Sequence, residues 1–117
     1  MTKEFDQEDA KKFLADRANK EKDRYEKERK TLLEQVISIL RQEFGGSSVE
    51  VYLVGSIIRP FAFSSRSDVD IVLKNYEGDR FDLWTRLEKK VSRSVEIILF
   101  ETCPFQDFVL KDGFKVV

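Results

Sequence analysis

The sequence predicts an α/β (α+β) fold: a small mixed β-sheet backed by helices, led by a long charged N-terminal helix. Three observations lead there. Apolar residues at helical spacing alternate with short runs rich in Val, Ile and Leu, the pattern of helices layered on strands. Turn chemistry falls between these segments, at Gly45-Gly46, at residues 75–79 and at Gly113. Residues 6–30 are mostly charged and hold no Gly or Pro, so they read as an exposed helix. At 117 residues the chain suits one globular unit, with residues 1–31 a charged helical extension and residues 32–117 the domain proper.

Each element has its own reason. In residues 6–30 acids stand four before bases at Asp16/Lys20, Asp23/Lys27 and Glu26/Lys30, the favourable helical order. Phe13 and Leu14 are expected to give the start of that helix something to pack. The helix is expected to continue through residues 31–44, where Leu32, Leu33, Val36, Ile37, Leu40 and Phe44 form a core-facing stripe. Gly45-Gly46 then supplies the backbone freedom that ends it. Residues 49–54 and 69–73 read as strands buried on both faces, since they are apolar without alternation. Residues 75–79 read as a turn. Asp79 is expected to cap a helix over residues 80–91, with Asp82 as its box partner. Phe81, Leu83, Trp84, Leu87 and Val91 are its expected inward stripe. Residues 95–100 read as a third strand. Pro104 suits the first turn of a short last helix with Phe105, Phe108 and Val109 facing the core, Gly113 suits its stop, and residues 114–117 suit a short strand.

Composition excludes several functions. The chain has no histidine, which removes Ser-His-Asp catalysis and zinc sites that need imidazole. Cys103 is the one cysteine, so no internal disulfide can form and a cytoplasmic location is expected. There is no long apolar run, hence no membrane span, and no signal peptide is expected. The formal net charge of −1 offers no basic field, so no direct nucleic-acid partner is expected.

The chemistry concentrates in residues 54–73. Residues two apart on a strand point the same way, so Asp68 and Asp70 project together at the edge of the second strand. Two close carboxylates call for a neutralising cation, and Mg²⁺ accepts carboxylates together with phosphate oxygens. Glu96 is the one charge inside the third strand and reaches the same place if that strand lies alongside. Gly55 lets phosphate approach the backbone, and the Ser56 hydroxyl and following amides can bind its oxygens. Arg59 and Arg66 offer bidentate phosphate contacts.

Gly55-Ser56, followed after a gap by Ser67-Asp68-Val69-Asp70 and an apolar strand, resembles the signature of polymerase-beta-like nucleotidyltransferases. Within that superfamily the chain looks like the minimal nucleotidyltransferases, and the stretch from Ser94 to Val117 is similar to their third-carboxylate strand and tail. Three features differ from the usual pattern: Pro60 stands where glycine is common, the Ser56-to-Asp68 spacer is about one residue longer, and Glu96 replaces aspartate. The longer spacer implies a bulged loop. The resemblance implies transfer of AMP from ATP with release of pyrophosphate. Gly55, Ser56, Arg59 and Ser67 would bind the nucleotide, and Asp68, Asp70 and Glu96 would hold Mg²⁺ and serve catalysis. It further implies an antitoxin that modifies a tyrosine hydroxyl of a HEPN-domain toxin. The alternative is an inactive antitoxin that neutralises such a partner by docking, with the charged helix as its arm. A small-molecule acceptor is a weaker reading, because such enzymes usually carry a second domain.

Overall fold

In the computed structural model, which describes residues 7–117, helix α1 runs unbroken from Gln7 to Phe44. Its expected start at Asp6 lies outside the described residues. Val36, Leu40 and Phe44 are buried, with Leu32, Leu33 and Ile37 packed beside them, as their helical spacing predicts. The helix stops where Gly45 donates to the Arg41 carbonyl at 2.8 Å and Gly46 takes φ 81°. The N-terminal half behaves differently from expectation at two positions. Phe13 and Leu14 are exposed, because residues 11–24 run out into solvent beyond the rest of the fold. The molecule is consequently 72 Å long and only 20 Å thick.

The direct partner of Glu26 is also not Lys30. Arg29 reaches it first, through two charge-assisted bonds of 2.9 and 2.6 Å, and the pair is buried against the domain. The fork of an arginine closes on both carboxylate oxygens, which the point charge of a lysine cannot do. Lys30 adds only a more distant attraction.

Four strands follow: β1 (Glu50–Val54), β2 (Val69–Lys74), β3 (Val95–Leu99) and β4 (Phe114–Lys115). They form one mixed sheet in the order β3-β2-β1-β4, with β1 antiparallel to both β2 and β4 and β2 parallel to β3. The parallel step requires a crossover, which α2 (Arg80–Val91) supplies. One face of the sheet, carrying Leu53, Ile71 and Ile97, packs on α1 and α2. The other face, carrying Tyr52, Val54 and Val72, packs on Phe100, Cys103 and Val109 of the C-terminal turns and of α3 (Gln106–Asp112). Burial from both sides is why β1 and β2 lack alternation.

α2 starts as expected, with the Asp79 carboxylate accepting the Phe81 and Asp82 amides at 2.9 and 3.1 Å. Asp82 does not complete a capping box; it pairs with Arg86 one turn on, at 3.2 Å. Leu83, Leu87 and Val91 are buried. Phe81 is 72% exposed and Trp84 36%, contrary to the expected stripe. At about 100° per residue, Phe81 lies about 200° from Leu83 and faces away. Phe105 and Phe108 are likewise exposed, and Val109 is the buried residue of α3. α3 also begins after Pro104, with Phe105 at its N-cap position.

The Arg29 hydrogen bond first, and the Phe61 amide second, lower the Glu26 carboxyl to about 2 from an ordinary 4.5. A lowered carboxylate stabilises the fold above its ordinary value and loses that contribution as pH falls toward the native value. The stability difference between the wild type and Glu26→Gln, measured by urea unfolding, should therefore be full near neutrality and shrink as pH falls from 4.5 to about 2. A difference that is constant across that range would contradict the pairing.

Candidate active site

The parallel register of β2 and β3 sets Asp70 directly beside Glu96. Val69, Ile71, Val95 and Ile97 go to the helix-covered face, so Asp70 and Glu96 must share the opposite one. Glu96 is exposed and Asp70 half-buried. Burial raises the Asp70 carboxyl to about 6, followed by its hydrogen bond to Glu96 and the nearby charges of Glu96 and Asp68. Asp68 and Glu96 therefore both lie close enough to act on Asp70. Among the described residues, no three such side chains are arranged as a finished metal cage.

The β1 side of this row is the Gly55–Ser56 turn. Val54 pairs with Asp70 across the antiparallel ladder, and Gly55 opens a 3-10 turn, Gly55–Ile58, directly after it. Gly55 sits at φ 80°, and a Cβ there would collide with the Asp70 carboxylate. The glycine thus serves twice, once for a left-handed backbone and once for close approach to the acid. Ser56 is half-buried in the same turn.

The other expected nucleotide contacts are placed less directly. Arg59 is exposed, with its guanidinium 5.7 Å from the Phe108 ring, on the α3 side. Ser67 closes a turn with Ser64, its hydroxyl accepting the Ser64 amide at 2.9 Å. Arg66 is exposed and lines a shallow depression with Asp68 and Arg93.

On the β3 side, a cleft of about 560 Å³ is lined by Asp68, Glu96, Arg80, Phe81 and Trp84. Arg80 donates to the Ile97 carbonyl at 2.7 Å and Trp84 to the Val95 carbonyl at 2.8 Å. These two side chains satisfy carbonyls on the outer edge of β3. Arg93 fixes the floor of the loop before Asp68, donating to the Ser67 carbonyl at 3.1 Å and to the Ser64 carbonyl, with Phe63 beneath its guanidinium.

Residues 8–106 match the family model for poly(A) RNA polymerase, mitochondrial-like, central palm domain. The chain belongs to this palm family. Its fold is the polymerase-beta-like nucleotidyltransferase palm to which Gly55-Ser56 and the paired aspartates pointed, and the match includes most of α1 together with β1, β2 and β3. No curated protein and no solved structure matches the chain. Family membership supports nucleotidyl transfer as the general chemistry, and palms of this kind use a nucleoside triphosphate and a divalent metal.

The donors that Asp68, Asp70 and Glu96 offer are carboxylate oxygens, the kind a hard divalent ion takes. Five residues at the site carry no motif: Glu26, Arg29, Arg80, Trp84 and Arg93. For Glu26 and Arg29 a signal exists, since positions 26, 29, 33, 36 and 40 continue the buried stripe of α1 back into its charged half.

Gly55→Ala should cost about 1–2 kcal/mol for the left-handed backbone alone, before any displacement of Asp70. Urea unfolding checks the loss. Unchanged stability would mean that Gly55 is not held in the stated conformation.

Proposed function

We propose that this palm transfers AMP from ATP to a hydroxyl acceptor. The observation that carries the reading is the pairing of Asp70 with Glu96 on adjacent strands, with Gly55, directly after β1, set against the Asp70 carboxylate, in a chain of the palm family. Asp68, Asp70 and Glu96 would hold Mg²⁺. Bound there, the ion supplies neutralisation of phosphate charge and a lowered pKa for the acceptor hydroxyl.

The chain's own residues do the rest. Gly55 and Ser56 receive the triphosphate through the turn's amides and the serine hydroxyl. Glu96, exposed at the cleft, orients the acceptor hydroxyl and faces the proton it loses. The acceptor oxygen forms a bond to the α-phosphorus, the bond from that phosphorus to the bridging oxygen breaks, and pyrophosphate leaves with the electron pair. The positioning rests on rigid strands, which suits an in-line displacement.

The family is that of poly(A) RNA polymerase palms, so an RNA 3′-hydroxyl is the first acceptor to supply. A tyrosine hydroxyl of a HEPN-domain toxin is the second, and the exposed N-terminal half of α1 favours it as an arm for a protein partner. In that setting neutralisation by docking alone would survive loss of the acids.

The test supplies α-labelled ATP, GTP, CTP or UTP with Mg²⁺ to the full chain, with an RNA oligomer or a candidate toxin as acceptor. Label should enter one acceptor, and Asp68→Ala/Asp70→Ala should lower incorporation by about a hundredfold or more. Absence of incorporation from every nucleotide into either acceptor would overturn the proposal. Toxin neutralisation that persists in the double variant would favour docking.

A further inference from the structure

Glu26 and Arg29 are the charged residues buried among the described residues, each 6% exposed. The chemistry above makes no use of them. Withdrawing two charges from water is expensive, and a well-packed apolar pair in the same place is often as stable. Their value lies in what they hold. Beyond the two bonds between them, Arg29 Nη1 donates to the Ile57 carbonyl at 2.9 Å, and Glu26 Oε2 accepts the Phe61 amide at 2.7 Å. The partners lie 28 and 35 residues apart in sequence, so the contacts are made by the fold and not by the helix.

Both contacts land on the segment that opens at Gly55. It starts left-handed at Gly55, φ 80°, and ends left-handed at Phe61, φ 63°. A bulky aromatic residue in that region is strained and persists only where its surroundings hold it. Pro60, immediately before, has no amide to offer. The Glu26 carboxylate supplies the missing anchor one residue later. The longer, proline-bearing loop is thus accommodated by a buried ion pair on α1. The turn closes internally through two further bonds, Arg59 N–H to the Ser56 carbonyl and Ala62 N–H to the Arg59 carbonyl, each 3.2 Å.

We propose that Glu26 and Arg29 are positioning residues that clamp the Gly55–Ser56 turn, so that affinity for a nucleoside triphosphate is set partly by α1. This rests on the reading that the turn receives the triphosphate. The clamp acts through backbone atoms, Ile57 O and Phe61 N, and neither side chain meets the nucleotide.

The experiment compares the wild type, Arg29→Met, Arg29→Lys and Glu26→Gln with Leu87→Ala, a core variant in α2 that loses stability without touching the turn. Two readouts are taken on the full chain. The first is native-state amide exchange at Arg59 and Ala62, whose bonds do not involve the pair, relative to amides of the β1–β2 ladder. The second is binding and turnover of Mg-ATP, with Trp84, the sole tryptophan and a wall of the acidic cleft, as the fluorescent reporter. Arg29→Met and Glu26→Gln should speed exchange at Arg59 and Ala62 and raise KM for ATP by about tenfold, with kcat within about threefold. Arg29→Lys, which keeps the charge but loses the fork, should fall between. If both readouts move no more than in a Leu87→Ala protein of matched stability, the pair is structural only and the proposal fails. Should Arg29→Met not fold, Glu26→Gln carries the comparison. A wild type that binds no triphosphate refutes the reading of the turn; exchange then decides the clamp alone, selective acceleration supporting it and uniform change overturning it.

Discussion

The register between β2 and β3 is the constraint on which the candidate site depends. Val69 pairs with Val95 and Ile71 with Ile97, and all four are buried beneath α1 and α2. That apolar pairing leaves Asp70 and Glu96 adjacent on the opposite face. A slip of one residue would turn Glu96 toward the helices and bury the wrong side chains, so the hydrophobic core enforces the placement of the acids. The site consequently carries a standing cost. Asp70 is desolvated, faces two other carboxylates, and is held near 6. Clustered, partly desolvated acids of this kind are found at functional sites more often than elsewhere.

The connection from β1 to β2 is the second constraint. It is long, and residues 55–68 hold little regular structure beyond one 3-10 turn. Two arginines tie it down. Arg29 of α1, with Glu26, holds its first half at Ile57 and Phe61. Arg93, next to the left-handed Ser92 that ends α2, holds its second half at Ser64 and Ser67. The loop between glycine and aspartates is therefore anchored from α1 and from the residue just beyond the C-terminus of α2. Rigid anchoring of an irregular segment is what a binding loop needs if its backbone amides are to meet a ligand without reordering.

Much of this was legible in the sequence, for reasons that can be located. α1, the three main strands and α2 follow from apolar spacing, and Asp79 caps α2 as its position indicates. The adjacency of Asp70 and Glu96 was legible because each is a carboxylate set inside an otherwise apolar strand, and the turn at Gly55 because only a glycine takes its left-handed backbone freely. The face of each helix was harder to read. Phe81 and Trp84 look like core residues by composition, yet the stripe through Leu83, Leu87 and Val91 turns Phe81 outward, and Trp84 is drawn to the edge of β3 by the Val95 carbonyl. Phe13 and Leu14 look like packing residues, but the fold brings nothing among the described residues to cover that part of α1. Glu26 and Arg29 continue the buried stripe of α1, but a charged pair within a charged run reads as solvated, and that spacing alone assigns them no partner. Only the three-dimensional approach of the 57–61 segment, brought in by strand pairing far along the chain, gives them a role.

The proposed chemistry requires that Asp68, Asp70 and Glu96 bind one cation beside the Gly55 turn. Mn²⁺ titration followed by NMR tests it most directly, because the ion broadens amides close to it and works without knowledge of the acceptor. Broadening should centre on the amides of Gly55, Asp70 and Glu96, be competed by Mg²⁺, and vanish in Asp70→Asn. Broadening centred instead on the exposed acids of α1, or unchanged by Asp70→Asn, would contradict the account.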